Sequence, residues 1–161
     1  MEIITSSVED FVKKQTASKR KASLVTTSKG ARCLLIQTLP LHVFRAYLVT
    51  ENTLTDVGVL TLSPDQDDAR LIELSAVKVE EQFRGLGIGS MLVKKALASI
   101  IESGRYEFVR VTSFKSTMEF FEKFGFNVAD DQLSCLTVWP ERTLVTMDLP
   151  LVKNYRQHNE L

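Results

Sequence analysis

The stretch Gln82-Phe83-Arg84-Gly85-Leu86-Gly87-Ile88-Gly89-Ser90 sets three glycines at alternate positions, just ahead of an apolar stripe at helical spacing. Glycine in a helix costs about 1 kcal/mol relative to alanine, so its repetition where a helix begins calls for a reason. The chemistry it offers is anion binding by backbone. The first amides of a helix lack internal acceptors, and the helix dipole adds partial positive charge there. Glycines admit positive φ and let a ligand approach the main chain. A phosphate or diphosphate is the ligand such a loop takes. A Walker loop would continue with lysine and a hydroxyl residue, whereas Gly89 is followed by Ser90 and Met91. A dinucleotide fingerprint would put its third glycine at Ser90 and an acid about 20 residues on, where the chain reads Phe108-Val109-Arg110-Val111-Thr112-Ser113. A kinase loop lies between strands rather than entering a helix.

Strand, loop and helix must hold those amides in place. Leu71 to Val79 predicts a strand with Ile72, Leu74 and Ala76 on one face, and Leu71, Glu73, Ser75, Val77 and Val79 on the other. Ile88 to Ser103 predicts a helix whose stripe includes Ile88, Met91, Leu92, Ala96, Leu97, Ile100 and Ile101, stopped by Gly104. Upstream, Ser7-Val8-Glu9-Asp10 fits a capping box opening a helix to about Ser18. Its basic continuation, Lys13 to Lys21, reads as a solvated helix end that complements the dipole rather than a patch for an acidic partner. Ala31 to Thr38, His42 to Thr50 and Val57 to Leu62 predict strands, with turns at Leu39-Pro40 and Asn52 to Asp56. Downstream, Phe108 to Thr112 predicts a strand and Ser116 to Phe124 a short helix ended by Gly125. Leu133 to Val138 and Thr143 to Leu149 predict a closing pair of strands around Trp139-Pro140. The order defines an α+β chain with a mixed sheet.

With 161 residues, 44% of them hydrophobic, the chain has material for one core and buries roughly 70% of its unfolded surface. Twenty Lys and Arg balance twenty Asp and Glu, which argues against nucleic acid as a partner. Cys33 and Cys135 stand far apart, form no metal-type spacing, and read as free thiols of a reducing compartment. No stretch approaches the roughly 20 apolar residues of a membrane span. The first residues show no signal-peptide pattern, and the final His-Asn-Glu-Leu reads as a polar tail. These features give the expectation of a cytoplasmic protein without membrane or metal.

Gln82-Phe83-Arg84-Gly85-Leu86-Gly87 resembles the Arg/Gln-x-x-Gly-x-Gly/Ala motif of the GNAT superfamily of acyl-CoA-dependent N-acetyltransferases. Phe120 to Phe126, "FFEKFGF", is similar to that family's Phe-Tyr-Glu-Lys-x-Gly-Phe box. The resemblance covers Leu71 to Phe126. The N-terminal third agrees with the family only in the order of its elements. It implies a single domain over residues 1–161, with its core at 57–149, built on a mixed, mostly antiparallel central sheet flanked by helices. It implies acetyl-CoA as cosubstrate. The amides of Gln82, Phe83, Arg84, Gly85, Leu86, Gly87, Ile88, Gly89 and Ser90 would hold the CoA diphosphate. Main-chain groups of Val77 and Val79 would pair with the pantetheine arm like an added strand. Arg84 reads as a phosphate contact or a solvated surface arginine. A side chain at Gly87 is expected to fill the anion nest and leave the protein folded. Two positions depart from the pattern: Phe114 stands where the family commonly has asparagine, and Phe121 where it often has a thiolate-protonating tyrosine.

The activity so implied is transfer of an acetyl group from acetyl-CoA to a primary amine of a protein or small molecule. A lysine ammonium has a pKa near 10.4 and an α-amine one of about 7.7–8.0, so a base helps the first more than the second. Glu73, a carboxylate within an apolar strand on the face shared with Val77 and Val79, is the residue type for that base. The bland reading is a sheet-surface glutamate paired with a nearby Arg or Lys. Ser75 could position a water, while His42 and His158 are weaker candidates. Phe121 keeps open an acyl-CoA-binding regulatory module with little or no turnover. Without a tyrosine at that position, water, Ser116 or Tyr155 could serve as acid. The acceptor is not named by any motif, and the closing strands could form a homodimer edge.

Overall fold

The computed structural model describes residues 3–4, 7–17, 20–38, 42–51, 53–128 and 140–151. In chain order these form β1 (Ile3–Ile4), α1 (Val8–Ala17), β2 (Arg20–Thr26), β3 (Arg32–Thr38), β4 (Val43–Thr50), β5 (Thr53–Pro64) and β6 (Leu71–Val79). Then come α2 (Ile88–Ser103), β7 (Phe108–Phe114), α3 (Met118–Glu122), β8 (Asn127–Val128) and β9 (Leu144–Pro150). The strands join one sheet in the order β2-β3-β4-β5-β6-β7-β9-β8, with β1 on β5. β6 and β7 are parallel, and the pairs β2–β3, β3–β4, β4–β5, β7–β9 and β8–β9 are antiparallel. The expected mixed, mostly antiparallel α+β architecture is thus the one observed. By internal contacts the chain forms two compact units: Met1–Leu62 with Ala76–Ala98, and Ser63–Ser75 with Ser99–Leu161.

In the first unit, Ser7 caps α1 by accepting a hydrogen bond from the Asp10 amide at 3.2 Å. The helix buries Phe11 edge-on against Tyr47, with ring centroids 5.2 Å apart, among Leu34, Ile36 and Leu54. α1 takes in the first part of the basic run, to Ala17. Arg20 and Lys21 instead open β2, paired from Arg20↔Thr38 to Thr26↔Arg32. Most of β2 is exposed, so no hydrophobic period marks it as a strand. β5 begins at Thr53, earlier than Val57, because Thr53 to Asp56 pair with Thr50 to Tyr47 across a turn read only as loop; Leu54 there is fully buried. At Gly58 an added Cβ would stand 3.1 Å from the Lys78 carbonyl oxygen and 3.3 Å from a Leu92 methyl. Glycine at this place lets the start of α2 lie close on β5.

In the second unit, β6 pairs with β7 from Leu71↔Phe108 to Leu74↔Val111, and β7 with β9 from Phe108↔Pro150 to Phe114↔Leu144. Ile72, Leu74, Val109, Val111, Val145 and Met147 are buried. Phe121 and Phe126 are buried too, their rings 5.8 Å apart. Ala76 departs from the alternation expected of β6. It is exposed, and it lies past the last residue of β6 registered against β7. The short helix also begins differently, with a 3-10 turn at Lys115–Thr117 ahead of α3. The proposed strand Leu133 to Val138, Trp139, Cys135, Tyr155 and His158 lie outside the described residues.

Candidate active site

The glycine loop grows directly out of β6. Glu80 keeps an extended backbone, and its amide donates to the Val57 carbonyl at 2.9 Å, tying the strand's end to β5. A 3-10 turn at Glu81–Phe83 follows, then Arg84 returns to extended geometry. Gly85 and Gly87 carry φ of 81° and 79°, the left-handed region that side chains make costly. The Gly87 carbonyl accepts the Met91 amide at 3.0 Å, the first bond of α2. The amides of Ile88, Gly89 and Ser90 therefore occupy the first turn, where no intrahelical acceptor exists. No acidic side chain stands in that turn to compete for them. Ile88 is buried and anchors the helix, while Gln82, Arg84 and Gly85 are exposed. The sequence thus brings Gln82 to Ser90 together as a backbone-presenting loop at a helix N-terminus, the geometry that suits a diphosphate.

Arg84 does more than stand in solvent: its Nε donates to the Val79 carbonyl at 3.2 Å and folds the side chain back along β6. The strand itself runs on to Val79, whereas its register with β7 ends at Leu74↔Val111. Val77 and Val79 are half-buried and lie in this continuation.

The two glycines face different surroundings. A Cβ at Gly85 would meet nothing within 4 Å. At Gly87 it would lie 3.2 Å from Ser28 Oγ and 3.3 Å from Thr27 Cβ. The expected effect of a side chain at Gly87 is corrected by this geometry. It would press on the β2–β3 turn and strain the backbone, so its first consequence is on the fold. Thr27 and Ser28 were not legible as neighbours of the loop, because a Thr-Ser pair in a hairpin turn carries no pattern that points to a partner so distant in sequence.

Glu73 is half-buried in the middle of the paired part of β6, abreast of Arg110, which is abreast of Asp148. Arg110 is forked onto Asp148, with Nε and Nη2 at 2.8 and 3.1 Å from the two carboxylate oxygens. Those bonds hold the guanidinium above its ordinary pKa, against partial burial, and the charges of Asp148, Glu73 and Asp65 add to the effect. The arginine beside Glu73 is thus committed to another carboxylate. Ser75, next along the same face, donates to Ser63 Oγ at 2.8 Å and is exposed. His42 sits in the turn before β4 at φ 49°, its carbonyl accepting the Leu62 amide. Phe114 is exposed at the end of β7, opposite Leu144. Phe121 packs edge-on to Phe120 at 5.0 Å as well as to Phe126, so its ring belongs to the apolar interior. Cys33 is fully buried, which pushes its thiol pKa up. Among the described residues, no helix is long and apolar enough to cross a membrane.

A strand that outruns its parallel partner leads into a glycine loop feeding a helix on an α+β sheet, an arrangement whose free amides suit an anion. The family model for the acetyltransferase (GNAT) domain matches residues 44–128, more than half of the chain. The chain belongs to the GNAT acetyltransferase family. The structure is similar to a chain of the NatC complex bound to Gag peptide and CoA (TM-score 0.54, 18% identity, 68% of this chain and 71% of that one). It is also similar to an acetyltransferase from Thermus thermophilus (TM-score 0.53, 19% identity, 71% and 67%). A third is the Bacillus subtilis acetyltransferase in complex with CoA (TM-score 0.50, 16% identity, 90% and 85%). At these identities the likeness is one of fold. None of the curated proteins matches the sequence significantly.

Proposed function

We propose that this protein transfers the acetyl group of acetyl-CoA to a primary amine. The observation that carries the reading is the loop from Gln82 to Ser90, with Gly85 and Gly87 at positive φ and the first-turn amides of α2 behind them. The loop amides hold the diphosphate, and the main chain of Val77 and Val79 lies along the pantetheine arm. Glu73 takes the proton from the acceptor ammonium. The neutral nitrogen then bonds to the acetyl carbon, the carbon–sulfur bond breaks, and the second proton shed by the nitrogen as it becomes an amide ends on the departing thiolate. A CoA thiol resembles a cysteine thiol with a pKa of about 8.5, a tolerable leaving group without a dedicated acid. The acceptor is an amine of a protein or of a small molecule.

A second reading has its own observation. Phe121 brings no hydroxyl to the position of the family's acid and is built into an aromatic cluster. A module that binds acyl-CoA and regulates a partner would need no acid there. Calorimetry with acetyl-CoA, followed by thiol release over a panel of amines and peptides, separates the two. Binding with amine-dependent thiol release is expected. Tight binding with no transfer to any acceptor favours the regulatory module, and no binding refutes both.

A further inference from the structure

Thr27 is buried, with 6% of its surface exposed, and it is the one polar side chain so buried among the described residues. It lies in the turn between β2 and β3, where its amide donates to the Ala31 carbonyl at 2.8 Å and its carbonyl accepts the Gly30 amide at 2.9 Å. Its hydroxyl accepts the Ala31 amide at 3.1 Å. The hydroxyl proton goes to the Leu86 carbonyl, at 2.5 Å. Leu86 is the residue between the two positive-φ glycines, and Gly87 next to it abuts Ser28 and Thr27. One buried hydroxyl therefore fixes the orientation of the Leu86–Gly87 peptide, whose far side is the amide of Gly87. A peptide plane is rigid, so holding the carbonyl holds the amide.

We infer that Thr27 is a positioning residue for the cosubstrate. From the β2–β3 turn it locks the glycine loop in the conformation that presents its amides to the diphosphate of acetyl-CoA. The inference rests on the reading of that loop as the CoA site. It explains why the loop needs glycine at two positions for two reasons. Gly85 carries only the turn, since nothing crowds it. Gly87 carries the turn and makes room for the Thr27–Ser28 wall. A loop held this way loses little conformational freedom when the ligand arrives, which is the source of affinity in a preorganised site.

Thr27→Val keeps the shape and removes the hydroxyl. Thr27→Ser keeps the hydroxyl and removes a methyl. Acetyl-CoA binding is measured by calorimetry at a temperature where circular dichroism shows each protein fully folded. The valine variant is expected to bind about ten-fold more weakly, the scale of one hydrogen bond lost. The serine variant is expected to bind like the parent protein. A loss of thermal stability alone, with the affinity of folded Thr27→Val unchanged, overturns the assignment. So does a serine variant that has lost binding, and this arm decides the matter if the valine variant does not fold. If the parent protein itself binds no acetyl-CoA, the reading of the loop fails first and the role of Thr27 with it.

Discussion

At the scale of single residues, the site divides into groups whose surroundings fix their chemistry and groups that only pack. Glu73 stands beside an arginine already forked onto Asp148, so its carboxylate is not consumed by that partner. Glu73→Gln is expected to lower the transfer rate by about 10²–10⁴-fold, the usual worth of a general base, with acetyl-CoA affinity unchanged. Rates across about pH 6 to 9, a range wide enough to bracket a base for amines, check this; a parent-like rate throughout removes Glu73 from the mechanism. Phe121 is the contrasting case. Its burial between Phe120 and Phe126 means that a tyrosine hydroxyl there must find a partner or lose its hydration. Phe121→Tyr is expected to destabilise the fold by about 1–3 kcal/mol, the cost of a buried unsatisfied polar group, as read by urea denaturation. A stable variant with faster transfer would show instead that the ring lines the thioester.

At the scale of elements, β6, the glycine loop and α2 form one device, and the two glycines within it separate by what surrounds them. Gly85→Ala is expected to cost about 1–2 kcal/mol, the left-handed backbone alone. Gly87→Ala carries the same strain and also pushes a methyl to 3.2 Å from Ser28 Oγ, so it is expected to be the less stable variant in urea. Equal stabilities would show that the β2–β3 turn yields freely. This same device was the most legible part of the sequence. The alternation of Leu71 to Val79 and the stripe from Ile88 to Ser103 predict the bounds of β6 and α2 to the residue, although Ala76 and Ile101, expected on the buried faces, are exposed. β2 was hidden because its burial leaves no alternation, and its cationic start reads equally well as a helix end. The loop announced itself through glycine, a local signal. The Thr27 hydroxyl that holds it is a contact over 59 residues of sequence, which no local pattern encodes. Glu73 was legible as an isolated acid in an apolar strand, but its Arg110 and Asp148 neighbours come from registers that only the folded sheet sets.

At the scale of the molecule, β5, β6 and α2 each contribute residues to both compact units, the divisions falling after Leu62, Ser75 and Ala98. Neither unit therefore owns a complete set of its strands. Unfolding is accordingly expected to be one cooperative transition, with calorimetric and van't Hoff enthalpies equal. A ligand held by the loop binds the native state and not the unfolded chain, so it must raise that single transition as a whole. At about 100 times its dissociation constant, acetyl-CoA is expected to add about 2.7 kcal/mol and to raise the midpoint by roughly 5–10 °C. Scanning calorimetry with and without acetyl-CoA checks both statements at once. Two resolved transitions, of which acetyl-CoA moves only one, would show that the units fold independently and that the cosubstrate is held by one of them alone.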